Sequence, residues 1–160
     1  MAAPTSLLVE VVNTQHSRAG LLALLGGFDI GPCAIGAELD DGAVVASAVH
    51  PLARASALLR SPLLLPGLPN QEFMLATAER ALRYAERNQW AHPARVMDEL
   101  IEVFNRATSG DGAAGGSNGE SARARLVRNH RSASVCHRNA ARVRALFGVT
   151  DDEWRVAGVE

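Results

Sequence analysis

Lysine is absent from this chain, and all 16 of its basic residues are arginine. The absence excludes every mechanism that needs a lysine amine, including Schiff-base chemistry, a phosphate-loop lysine and a catalytic Ser–Lys pair. Only two cysteines are present, Cys33 and Cys136, and their wide separation is not typical of a disulfide scaffold or of a paired metal-binding motif. We therefore expect two reduced thiols, no cofactor and no metal site.

Aromatic residues and long apolar runs are also scarce. Aromatics make up 4% of the 160 residues, so the core must consist mainly of leucine, valine and alanine. No apolar run approaches the roughly 18 residues that a transmembrane helix needs, and the first residues lack the pattern of a signal peptide. The formal net charge of −1 gives no global argument for a nucleic-acid or membrane partner. We interpret the chain as cytoplasmic, without a membrane contact.

The pattern of short apolar segments predicts an α+β fold, with a small sheet of three or four strands in the N-terminal third and a helical half after it. Residues 6–12 are apolar and β-branched, which is typical of a buried strand. Asp40-Asp41-Gly42 lies between two apolar runs, and Asp-Gly in that position indicates a β-hairpin. Helical spacing and capping residues predict helices after Ser17, from Pro51, over 71–89, over 94–107, within 122–147 and from Thr150.

Composition divides the chain into three parts. Residues 1–107 form the predicted α+β domain, residues 108–121 are rich in glycine and serine and predict a flexible linker, and residues 122–160 predict an arginine-rich helical tail. Within the first part, "SPLLLPGLPN" at 61–70 contains three prolines and predicts a connector. Exposed leucines between prolines are typical of a partner-binding surface.

Asp29 is the acidic residue with the least ordinary position. It lies between Phe28 and Ile30, directly before a predicted buried strand. An acid placed there either caps a turn or belongs to a site. Both readings remain open from the sequence.

A second group of candidates lies on the helix predicted over 71–89. Arg80, Arg83 and Arg87 are spaced by three and four residues, which places them on one helical face. Such a face can bind a phosphate group. The alternative is a solvated face that Glu79 and Glu86 neutralise.

The C-terminal part contains a tract of arginines in which no acidic residue occurs between 121 and 144. It either forms an arm that contacts the phosphates of DNA or RNA or folds back as an intramolecular clasp on acidic residues elsewhere. The members of the tract are Arg123, Arg125, Arg128, Arg131, Arg138, Arg142 and Arg144.

Residues 7–105 resemble the palm and neck region of the class II nucleotidyltransferases that add CCA to tRNA or synthesise bacterial poly(A). "FDIGPCAIGAELDDGAVV" is similar to the family's strand and Asp/Gly hairpin, and it keeps Asp29, Ile30 and Ala34. "RALRYAERNQWAHPARVMDEL" is similar to the family's arginine-rich helix and the helix after it. The matching positions are Arg80, Arg83, Tyr84, Arg87, Trp90 and Pro93.

The resemblance implies a nucleotide-handling domain, with Asp29, Arg80, Arg83 and Arg87 as ligand-binding residues. The matching residues do not include the Asp-x-Asp strand that holds the catalytic metals in that family. The resemblance therefore implies binding without catalysis. The competing hypothesis is a small accessory protein, of the phage or mobile-element type, that assembles with a partner chain or with a second copy of itself.

Overall fold

The computed structural model describes residues 20–158 apart from 67, 69–70, 91–92, 110–119 and 135. Over these residues the fold is α+β, as predicted, with an antiparallel sheet near the N-terminus and helices after it. The sheet has two strands here, fewer than the three or four predicted. The strand predicted at 6–12 and most of the predicted linker lie outside the described residues.

The helices and strands follow the sequence prediction in order and type. Two short 3₁₀ turns, Gly31–Cys33 and Gln71–Phe73, accompany them. The elements are α1 (Gly20–Leu25), β1 (Ile35–Asp40), β2 (Ala43–Val49), α2 (Pro51–Leu59), α3 (Met74–Arg87), α4 (Ala94–Ser109), α5 (Ala122–Ala133), α6 (His137–Leu146) and α7 (Asp151–Val156).

The β1–β2 hairpin forms at the predicted turn. Asp41 and Gly42 both have positive φ, 46° and 79°, which a two-residue hairpin turn of the primed type requires. Ile35 pairs with Val49, and a bulge follows Glu38. The hairpin packs against α1 where Gly36 meets Leu21 and Leu25.

The connector after α2 forms a short β-bridge with the segment that contains Asp29. The Gly31 N–H donates to the Leu63 carbonyl at 2.7 Å, and the Leu65 N–H donates to the Asp29 carbonyl at 2.9 Å. Gly31 also lies so close to α2 that a Cβ would stand 2.5 Å from the Leu52 carbonyl oxygen. Glycine at this position therefore permits the contact.

The leucines of the connector are not exposed as expected. Leu65 is 2% exposed and Leu68 is 5% exposed. Their side chains are covered because the β-bridge draws the connector onto the protein, an effect that proline content alone does not reveal. Among the described residues of the connector, no leucine is fully exposed, since Leu63 and Leu64 are half-buried, so the exposed apolar surface expected there is not formed.

Helix α3 is the centre of the helical half. Its apolar side chains pack with α4, α5 and α6 in one core, to which Leu82, Leu100, Val127 and Val143 contribute. The predicted tail thus supplies buried residues to the same core as α3 and α4. None of the helices in the described part of the chain has the length and apolarity that crossing a membrane requires.

Candidate functional site

Asp29 is buried and lies against the middle of α3. Its carboxylate accepts hydrogen bonds from the Thr77 hydroxyl and from the Arg80 guanidinium. The Thr77 oxygen also accepts from Arg80 at 3.1 Å, which closes a three-membered network. The structure therefore brings together Asp29 and Arg80, two of the residues that the sequence singled out, although 51 positions separate them.

The Asp29–Arg80 pair joins the N-terminal part of the fold to α3. The Asp29 side chain is 4% exposed and that of Arg80 is 32% exposed. A carboxylate so far from water is tolerated only with a charged partner and satisfied lone pairs. Arg80 is therefore held in place by Asp29, with part of its side chain still open to solvent.

Cys33 and Tyr84 form the next contact along the same side of α3. The Cys33 thiol lies 3.5 Å from the Tyr84 hydroxyl, and both residues are half-buried. Burial raises the pKa of the Cys33 thiol above its usual value. Burial, reinforced by the contact with Cys33, also raises the pKa of Tyr84 to about 12. Both groups are protonated at neutral pH, so Cys33 does not offer the thiolate that a nucleophilic cysteine needs.

Arg83 and Arg87 lie on the same face of α3 and are exposed. Among the described residues neither has a carboxylate within ion-pair distance. The acids expected to neutralise them are engaged on a different side of the helix: Glu86 pairs with Arg138 and Arg142. The structure therefore does not pair these two arginines with Glu86, as the alternative of a face neutralised by Glu79 and Glu86 expects.

Glu79 belongs to a buried polar network that sequence reasoning did not find. Its carboxylate lies 3.0 Å from His130 Nε2 on α5 and accepts the Cys136 backbone N–H at 2.9 Å. One sequence feature could have indicated it: Glu79 lies four residues after Leu75 and three residues before Leu82. This spacing places Glu79 on the same helical face as those two leucines, towards the core. The partner, 51 residues away, could not be read from any local pattern.

His130 is fully buried, and its ring meets the Trp154 ring edge-on with 5.1 Å between centroids. Burial lowers the pKa of His130 below its ordinary 6.5, and the nearby Arg144 adds to this effect. The hydrogen bond with Glu79 acts in the opposite direction and does not outweigh burial. His130 is consequently a neutral member of the core at pH 7.

Most arginines of the C-terminal tract bond to acidic groups or carbonyls of the same chain. Arg123 bonds Glu153 at 2.5 Å, and its guanidinium lowers the pKa of Glu153 to about 2. Arg128 pairs with Glu120. The remaining contacts are those of Arg131 with the carbonyls of Trp154 and Arg155, of Arg138 and Arg142 with Glu86, and of Arg144 with Asp151.

Two of these arginines, Arg138 and Arg142, reach an acid of the predicted α+β domain, Glu86, as the clasp alternative expects, whereas the other acids contacted lie between 120 and 153. A polyanion would have to replace these contacts before it could use the same guanidinium groups. Arg125 is the exception, since among the described residues it bonds neither an acid nor a carbonyl; with the hydrogen bond from Arg128, its charge lowers the pKa of Glu120. The tract is thus committed mainly to holding α5, α6 and α7 together.

The described residues contain no group of three or more His, Cys, Asp or Glu side chains that could hold a metal ion. Comparison with protein-family models, curated proteins and solved structures finds no match for this chain. The exposed and half-buried polar groups on the side of α3 near Asp29 are guanidinium groups and the Tyr84 hydroxyl, all hydrogen-bond donors.

We predict that Asp29→Ala lowers the free energy of unfolding by about 2–4 kcal/mol, because Thr77 and the part-buried Arg80 lose their shared acceptor. Urea unfolding followed by circular dichroism measures the change. Asp98→Ala, an exposed acid on α4, is the matched control and should change stability by less than about 0.5 kcal/mol. Equal losses in the two variants would contradict the structural role of Asp29.

We predict that the protein loses stability as the pH falls below about 6.5, the value for unfolded histidine. The pKa of His130 is lowered in the folded state, so the unfolded chain binds the extra proton and acid favours unfolding, by at most about 1.4 kcal/mol per pH unit. Urea unfolding between pH 5 and pH 8 gives the slope. His130→Asn should flatten it, and His137→Asn, a change at an exposed histidine, should not. An unchanged slope in His130→Asn would refute the assignment.

Proposed function

We propose that this chain is a non-catalytic, nucleotidyltransferase-like domain that binds a nucleotide or a nucleic-acid phosphate on the exposed face of α3. The observation that carries the proposal is that Arg83 and Arg87 are exposed there without a carboxylate partner among the described residues. Unpaired guanidinium groups on one face favour phosphate, because each presents several donors in a fixed geometry.

Arg80 adds a third positive charge beside this face, and its guanidinium group is held in place by Asp29. Its pair with Asp29 fixes one guanidinium nitrogen, while about a third of the side chain remains exposed. A preorganised cation loses less conformational entropy on binding than a mobile one. The same pair occupies the Asp29 carboxylate, so Asp29 is not available to hold the metal ions that two-metal phosphoryl transfer requires. Binding is therefore favoured over catalysis.

The resemblance to the CCA-adding and poly(A)-synthesising enzymes agrees with this proposal, since α3 is the helix that carries the matching arginines. The C-terminal tract is a weaker candidate for phosphate contact. Its guanidinium groups already bond acids such as Glu86, Glu120 and Glu153.

We predict that replacing both Arg83 and Arg87 by Ala weakens binding of a nucleoside triphosphate or a short RNA by at least tenfold at low salt. The reason is that hydrogen bonds to charged groups contribute about 1.5–3 kcal/mol each. Calorimetric titration measures the affinities. Arg106→Ala, which removes an exposed arginine from the last turn of α4, is the matched control and should bind as the wild type does. Absence of binding by both ligands to the wild type would refute the proposal.

A second candidate function, assembly, is favoured by the outer face of the β1–β2 hairpin. Five large apolar side chains are exposed in this part of the fold: Ile35, Leu39, Val44, Val45 and Val49. A hairpin with one bare apolar face is marginal in water, and its strand edges can pair with another strand. A second copy of the chain offers an identical face and edge, which suits a two-fold symmetric contact.

We predict for this candidate that the wild type forms a dimer and that the double change Ile35→Ser, Val45→Ser makes it monomeric. Light scattering over a range of protein concentrations measures the mass. Leu146→Ser, at an exposed leucine of α6, is the control and should leave the dimer intact. A wild type that remains monomeric at every concentration would rule out self-assembly.

A further inference from the structure

The polar groups around the exposed face of α3 are nearly all hydrogen-bond donors. Arg83 and Arg87 are donors only, and Tyr84, three residues before Arg87, adds a hydroxyl one helical turn from that arginine. The nearby acceptor, the Asp29 carboxylate, is already bonded to Thr77 and Arg80. A ligand that completes this face must therefore supply acceptors, as a phosphate group does.

Tyr84 is the half-buried member of the group, and its hydroxyl has only a weak partner among the described residues. The one hydrogen-bond partner of its hydroxyl in the described part of the chain is the Cys33 thiol at 3.5 Å. Sulfur is a weak donor and a weak acceptor, whereas a half-buried tyrosine hydroxyl normally has a stronger partner. An anionic oxygen is a much better acceptor for this O–H. Because the pKa of Tyr84 is raised to about 12, the hydroxyl keeps its proton at any physiological pH.

The donors occupy a short length of the helix. Arg83 and Arg87 are four residues apart, which corresponds to a rise of about 6 Å along the axis. An extended nucleic-acid backbone needs a longer track of cations. The arginines that would lengthen the track, those of α5 and α6, are largely bonded to Glu86, Glu120 and Glu153.

We propose that the Tyr84 hydroxyl donates to a bound anion between Arg83 and Arg87, so that the α3 face selects one compact phosphate group over the extended backbone of a nucleic acid. The inference rests on the proposed function of this face and names its ligand class, a phosphate monoester such as a nucleoside monophosphate. The Cys33 thiol donates to the Tyr84 oxygen, which leaves the Tyr84 O–H free to donate to the phosphate.

Calorimetric titration of the full chain with inorganic phosphate, with a nucleoside monophosphate and with a short oligonucleotide that lacks terminal phosphates tests the inference. We expect the monophosphate to bind at least tenfold more tightly than the oligonucleotide. Tyr84→Phe, which removes one oxygen atom, should weaken monophosphate binding by about tenfold. Cys33→Ala should change monophosphate binding less than Tyr84→Phe does, because it leaves the Tyr84 O–H in place.

Cys33→Ser gives a second measurement that does not depend on the folding of the Tyr84 variant. Its hydroxyl is a stronger donor to the Tyr84 oxygen than a thiol is, which makes the Tyr84 O–H a better donor, so monophosphate binding should tighten. If Tyr84→Phe and Cys33→Ser bind as the wild type while the Arg83 and Arg87 double variant does not, the role of Tyr84 is wrong and the proposed function stands. An oligonucleotide that binds as tightly as the monophosphate overturns the compact site. Failure of every ligand to bind the wild type refutes the proposed function itself.

Discussion

The buried carboxylate of Asp29 is the contact on which the arrangement of the two halves of the fold depends. Its side chain bonds Thr77 and Arg80 of α3, and its backbone carbonyl accepts the Leu65 N–H of the connector. One residue therefore ties the hairpin region, the connector and the central helix together. Gly31, two residues later, adds the close approach to α2. Because a buried charge tolerates few alternative arrangements, this network specifies how the sheet region sits on the helices.

The charged residues of helix α3 lie on different sides of the helix according to their sign. Glu79 and Glu86 face the C-terminal helices. Glu79 contacts His130 there, and Glu86 forms ion pairs with Arg138 and Arg142. Arg80 faces Asp29, and the arginines at 83 and 87 face solvent. The helix thus separates acids that hold the fold together from bases that remain available. A near-neutral total charge conceals this separation, since the sum over the chain does not record where each charge points.

Local signals were sufficient for much of the fold. The hairpin followed from Asp41-Gly42, and the last helix followed from Thr150 and Glu153, which form a capping box. Burial of the connector could not be predicted, since it depends on the β-bridge between Ile30 and Leu64. The same limit applied to the site. Asp29 was conspicuous as an acid among apolar residues, but its partners on α3 lie 48 and 51 positions away. The contacts of the C-terminal arginines likewise depend on tertiary packing, which no local pattern records, so the sequence alone slightly favoured the phosphate-binding arm over the clasp.

Tyr84 is the single tyrosine of the chain. Its ring stands beside Cys33 and the exposed arginines, so the phenol chromophore at the candidate site is unique in the molecule. Of the two tryptophans, Trp154 lies edge-on against His130 in the C-terminal helices, away from this site. A change in the ultraviolet signal of tyrosine therefore reports on one known position without any label. The protein carries its own optical probe at the surface where a ligand is expected.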